Sequence, residues 1–215
     1  PGQFLVDKTG RTYWSASGKP ETSAKKGQQA PKAKEEAKDD KVVDVSQFNH
    51  KLCSVETVEQ YLKENGIDFK TLRHEVTMTN QAMIDTVKFE GAYKNTVLAK
   101  QLFLYEKKKK ENMWLISADV ATEVDMKGLQ KYLKVGSGNL RGADLESLGK
   151  YLGCIKGNVN YFSMINDVEK KVKVILDKKL FDAERVSFHP MDNTGSISIS
   201  HEGILKLKEL AGRDD

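Results

Sequence analysis

Thr96-Val97-Leu98-Ala99-Lys100-Gln101-Leu102-Phe103-Leu104 reads as a strand buried on both faces, apart from the lysine at its centre. Side chains alternate along a strand, so Lys100 shares a face with Leu98, Leu102 and Leu104, and its ammonium is directed where its neighbours exclude water. A buried charge without a partner is costly, so an inward lysine is a site candidate.

Around this run the chain alternates helix and strand signals. Further strands are expected at Phe69–His74, Met113–Ser117, Val172–Leu176, Arg185–Phe188 and Ser196–Ile199. Ser54, Asp125, Asp144 and Ser200 each precede an apolar stripe at helical spacing and read as N-caps, with Gly66, Gly136 and Gly153 as stops for the first three. The fold class that follows is α/β, a mixed sheet flanked by helices. Lys107-Lys108-Lys109-Lys110 joins two strands; a solvated hairpin loop is the plain reading and a phosphate contact the sharper one.

The first 45 residues differ. Three of the four prolines, Pro1, Pro20 and Pro31, lie there, and residues 15–41 are dominated by Ser, Ala, Gly, Gln, Lys and Glu. Residues 1–45 are therefore expected to be an extension or linker carrying a short hairpin around Asp7-Lys8-Thr9-Gly10, and residues 46–215 the folded domain.

Composition bounds the function. At 215 residues, with 39% hydrophobic and 31% charged side chains, the chain has room for one ordinary core, and it has no apolar run long enough for a membrane span. The Pro1-Gly2-Gln3-Phe4 start does not look like a secretory signal, so a cytoplasmic location is expected. A net charge of +4 permits contact with nucleic acid without requiring it. Cys53 and Cys154 form no C-x-x-C pair, and Cys154, at a helix end, reads as a small buried thiol rather than a nucleophile. The four histidines show no metal-ligand spacing, and no metal or other cofactor is expected. The serine-hydrolase elbow, the phosphate loop and the dinucleotide fingerprint are also missing. After residue 31 the single proline, Pro190, sits in Phe188-His189-Pro190-Met191-Asp192-Asn193-Thr194, where His189 and Asn193 occupy a turn between strands. They either face a ligand there or satisfy local backbone groups.

Lys100-Gln101-Leu102-Phe103-Leu104, Met164-Ile165-Asn166-Asp167, Val172-Lys173-Val174-Ile175-Leu176-Asp177 and Phe188-His189-Pro190 with Asn193-Thr194 resemble, in that order, the landmarks of the YbaK family of aminoacyl-tRNA editing domains. The prolyl-tRNA synthetase-associated branch is the closer match, over residues 50–212. The resemblance implies a strongly curved central sheet and hydrolysis of a mischarged tRNA ester, chiefly alanine on proline tRNA, either in cis within a prolyl-tRNA synthetase or in trans. It implies tRNA as partner, with the synthetase as a second, and a reaction without a protein nucleophile, in which a tRNA hydroxyl assists attack by water. Lys100 takes the place of the family lysine, with Lys94 as a second candidate. Substrate binding falls to the loop Gly157, Asn158, Val159, Asn160 and Tyr161, where Tyr161 replaces the family proline, and to Asn166, Asp167, His189 and Asn193. Lys107, Lys108, Lys109 and Lys110 are the candidates for the tRNA backbone. The alternatives are a catalytically silent module that tethers tRNA or a synthetase, and a protein-interaction domain that kept the fold alone.

Overall fold

The computed structural model describes residues 3–6, 12–15, 43–75, 95–191 and 194–213. Lys94 and Asn193 lie outside these.

The strands are β1 (Gln3–Val6), β2 (Thr12–Ser15), β3 (Phe69–Arg73), β4 (Thr96–Glu106), β5 (Lys109–Asp119), β6 (Leu140–Gly142), β7 (Val172–Asp177), β8 (Arg185–Phe188) and β9 (Gly195–Ser200). The helices are α1 (Val55–Glu64), α2 (Met126–Tyr132), α3 (Leu145–Ser147), α4 (Lys178–Phe181) and α5 (His201–Leu210). The sheet runs β1-β2-β7-β5-β4-β8-β9-β3, with β6 also on β4.

Parallel and antiparallel pairs mix as the sequence predicts. β5 pairs antiparallel with β4 and parallel with β7, and β8 pairs parallel with β4 and antiparallel with β9. β4 holds the sheet together and is also where it parts. On one edge β8 accompanies it only from Thr96 to Leu98, and β6 joins from Leu104 to Glu106, leaving the intervening residues, Lys100 among them, without a strand on that side.

The four expected N-caps all cap. Ser54 makes a capping box with Thr57, Asp125 accepts from Lys127 N, Asp144 from Ser147 N and Ser200 from Gly203 N. The helix begun at Asp144 differs from a regular one: after a single α turn it widens into a π turn, Leu148–Leu152, closed by Gly153 at φ 64°.

Alternation along β4 sorts side chains to two cores. Ala99 and Phe103 face the larger, with Leu115, Leu176, Phe188 and Ile197 from neighbouring strands and Leu62 and Leu207 from α1 and α5. Leu104 faces the smaller, with Trp114, Ile116, Ile175 and Leu129 of α2. Each fully buried side chain of this size is worth about 1.5–3 kcal/mol. With both faces covered, chemistry is left to the ends of the strands; β5 and β7 run parallel and finish at the same end, where β4, antiparallel to β5, begins with the parallel β8 beside it.

Candidate functional site

Lys100 lies at that end. It is half-buried and stands opposite Ala118 of β5. One register step beyond the Ser117–Leu176 pair, Ala118 is followed across the sheet by Asp177 of β7, so the small alanine separates the ammonium from a carboxylate. The Lys100 Nζ donates to the carbonyl oxygens of Thr122 and Val120, the latter at 3.3 Å. Among the described residues it makes no ion pair. Burial pulls its pKa down, and the charges of Asp119, Glu123 and Asp177 hold it up in part. The lysine is thus a cation solvated by backbone dipoles.

Asp177 builds that cradle. It is fully buried, and it accepts from Asp119 N at 3.2 Å, Thr122 Oγ1 at 3.3 Å and Lys179 N at 3.0 Å. It therefore ties down the turn from Asp119 to Thr122 whose carbonyls receive Lys100. Burial raises the Asp177 pKa, against hydrogen bonds from Lys179, Asp119 and Thr122 that lower it.

His189 follows β8 and is almost completely buried. Burial depresses its pKa to about 4; backbone hydrogen bonding at Gly157 oppose it, the nearby His74 adds to the depression, and Val159 backbone bonding opposes it. The ring is neutral at pH 7, and its Nδ1 has no hydrogen-bond partner among the described residues. The loop beside it begins at Gly157, whose φ of +93° suits glycine and whose missing Cβ faces open space. Gly157 is exposed, Asn158 and Val159 are half-buried and Asn160 is buried. Asn160 caps the 3₁₀ segment Tyr161–Asn166 by accepting from Ser163 N at 3.1 Å. Tyr161 turns into the large core and stacks on Phe188, with ring centroids 5.2 Å apart.

Continuing the parallel β4–β8 register past the Leu98–Ser187 pair brings His189 level with Lys100, and the backbone of Gly157 and Val159 meets His189, but the structure does not place every expected residue there. Asn166 and Asp167 precede β7, at the opposite end from Asp177. Five residue steps of about 3.3 Å put roughly 17 Å between the two ends. Asn166 accepts from Leu52 N at 2.9 Å and donates to Leu52 O at 2.8 Å and Leu152 O at 2.9 Å. Asp167 accepts from Val172 N at 2.7 Å and pairs with the buried Arg213 at 2.5 Å. Both are occupied by scaffold. A cavity of about 310 Å³ beside them, lined by His50, Lys51, Lys150 and Tyr151, belongs to this far end. Lys107, Lys108, Lys109 and Lys110 are exposed at the β4–β5 turn, also at the far end, and Lys109 and Lys110 already belong to β5.

Sequence reasoning missed Asp177 and Thr122 as the supports of Lys100, and His74 and Ser196 as neighbours of His189. Asp177 closed one of the family landmarks quoted above, with no role assigned to it. Among the described residues no group of three or more His, Cys, Asp or Glu side chains is arranged to hold a metal, and no helix is long and apolar enough to cross a membrane.

Comparison with known proteins places the same region in a described family. Residues 74–207 match the family model of the aminoacyl-tRNA editing domain. The prolyl-tRNA editing protein ProX of Acetoanaerobium sticklandii is 32% identical over 151 residues, 70% of this chain and 88% of that protein. The mouse prolyl-tRNA synthetase associated domain-containing protein 1 is 32% identical over 160 residues, 73% of this chain and 90% of that protein. Among solved structures, a candidate trans-editing enzyme for prolyl tRNA synthetase shares the fold, with a TM-score of 0.53 at 16% identity over 71% of this chain and 89% of that one.

Proposed function

Because this chain belongs to the aminoacyl-tRNA editing domain family, we propose that it is an aminoacyl-tRNA deacylase that hydrolyses alanyl-tRNA(Pro) in trans. The observation that carries the reading is the half-buried Lys100, held by carbonyl groups with no carboxylate paired to it, at the carboxyl ends of the parallel strands β5 and β7.

An ester between an amino acid and a ribose hydroxyl is already activated. The protein needs to position it and to stabilise the oxyanion that forms when water adds to the carbonyl carbon. Lys100 supplies the positive charge, in surroundings drier than bulk solvent. Water contributes its oxygen to the released amino acid, the ribose oxygen leaves with a proton, and the neighbouring tRNA hydroxyl assists the transfer. Backbone groups of Gly157–Asn160 and the neutral His189 hold the aminoacyl group. Proline is spared by size, since a pocket fitted to a smaller side chain excludes a ring sterically, whereas a synthetic site gains only about 1–3 kcal/mol against the smaller competitor. The burial of Tyr161 in the core supports turnover over a silent tethering role, because its ring does not fill the loop. On this reading the protein works beside prolyl-tRNA synthetase in the cytoplasm, and Lys107–Lys110 meet the tRNA backbone.

The test is ester loss from alanyl-, cysteinyl- and prolyl-tRNA incubated with the purified chain. Selective loss of alanine is expected; binding of all three without turnover means a tether.

A further inference from the structure

Asn160 is fully buried, and both ends of its side-chain amide are in use. Its Oδ1 accepts from Ser163 N at 3.1 Å, which starts the 3₁₀ segment. Its Nδ2 donates to Asn158 O at 2.9 Å, inside the glycine loop, and to Met191 Sδ at 3.3 Å, in the turn that follows His189. Cys154 Sγ lies farther off, at 3.8 Å. An amide nitrogen carries two protons, so the two shorter contacts use both. One side chain thereby joins two segments that lie 31 positions apart.

Met191 is held for this contact. Its side chain is buried in the large core, and its backbone has a φ of 21°, a sparsely populated value outside glycine. A strained residue persists only where its surroundings fix it, and such residues gather at active sites and ligand clamps. Sulfur is a weak acceptor, but a leucine of similar bulk offers none. The His189 ring meets the same loop through hydrogen bonding with the Gly157 and Val159 backbone, so turn and loop are tied twice.

We propose that Met191 is a positioning residue for the aminoacyl group, acting through the Asn160 amide, which fastens the Gly157–Asn160 loop to the His189 turn before the substrate arrives. The inference rests on the deacylase reading above, in which that loop and His189 hold the ester. Met191 touches no reacting atom. A loop fastened in advance has no ordering cost left to meet on binding, so the junction acts on KM and leaves the chemical step to Lys100.

The test is steady-state deacylation of alanyl-tRNA(Pro) by the full chain, read beside a thermal melt. Met191→Leu keeps the bulk and removes the acceptor, and Asn160→Ser keeps an oxygen for Ser163 N and removes the amide. KM is expected to rise roughly threefold in Met191→Leu and roughly tenfold in Asn160→Ser, the scale of one and of two neutral hydrogen bonds lost, with kcat unchanged. The double variant should match Asn160→Ser, because the donor is already gone. A merely structural contact lowers Tm and the folded fraction, which reduces kcat and leaves KM alone. That outcome, or unchanged kinetics in both variants, overturns this inference alone. Absence of turnover by the unaltered chain overturns the deacylase reading beneath it. Should both variants fail to fold, NMR of the unmodified protein decides: a nuclear Overhauser contact between the Asn160 side-chain amide protons and the Met191 methyl group supports the junction, and its absence overturns it.

Discussion

Replacing Lys100→Met isolates the charge on which the proposed chemistry depends. Methionine keeps the length and apolar stem of lysine, so the packing against Leu98 and Leu102 survives while the ammonium is lost. A unit charge about 4 Å from a developing oxyanion contributes about 4 kcal/mol at the effective dielectric of a partly exposed site. Lys100 is only half-buried and shares its protons with the carbonyls of Val120 and Thr122, so we discount this to about 3 kcal/mol, roughly a hundredfold in rate. The assay is the first-order loss of labelled alanine from alanyl-tRNA(Pro) with protein in excess, read beside a thermal melt. The expected result is a rate about a hundredfold lower with Tm within a few degrees of wild type, since an exposed or half-exposed polar change costs little. A Lys100→Met protein that melts normally and hydrolyses at the wild-type rate refutes the role.

Three further outcomes follow from the geometry. The folded-state pKa of His189, about 4, lies below its unfolded value of about 6.5, so the stability it contributes is complete above pH 6.5 and is lost as pH falls toward 4, by up to about 3 kcal/mol. Chemical denaturation across that range should show His189→Asn losing correspondingly less than wild type. Asn166→Ala leaves Leu52 N, Leu52 O and Leu152 O without their partner and should cost roughly 3 kcal/mol in urea unfolding, while deacylation per folded molecule stays unchanged. Gly157→Ala meets no steric obstacle but forces a side chain into the left-handed region at φ +93°; a loss of about 1–2 kcal/mol and a raised KM for alanyl-tRNA(Pro) are expected.

Much of the fold was legible because local rules agreed with the tertiary result. Ser54, Asp125, Asp144 and Ser200 sit where side-chain oxygens must meet free helix N–H groups, and the alternation of Ser196-Ile197-Ser198-Ile199 divides itself between a core and a polar face. Lys100 stood out because a charge in an apolar strand always requires an explanation. Its partners were not legible, since they are backbone carbonyls 20 and 22 positions away, brought near only by the antiparallel β4–β5 register. Asp177 was hidden for a related reason: which end of β7 carries chemistry depends on the parallel pairing with β5, which no short-range pattern encodes. Asn166 and Asp167 show the reverse. A buried amide and carboxylate look alike in sequence whether they bind a ligand or brace a scaffold, and here the deciding partners, Leu52 and Arg213, are 114 and 46 positions away.

The most direct test of the account is a single-turnover time course with the full chain in excess over alanyl-tRNA(Pro), run in parallel with prolyl-tRNA(Pro). Release of free alanine and intact tRNA is expected from the first, with the proline ester persisting at its spontaneous rate. Equal loss of both esters, or stability of both at saturating protein, contradicts the deacylase reading.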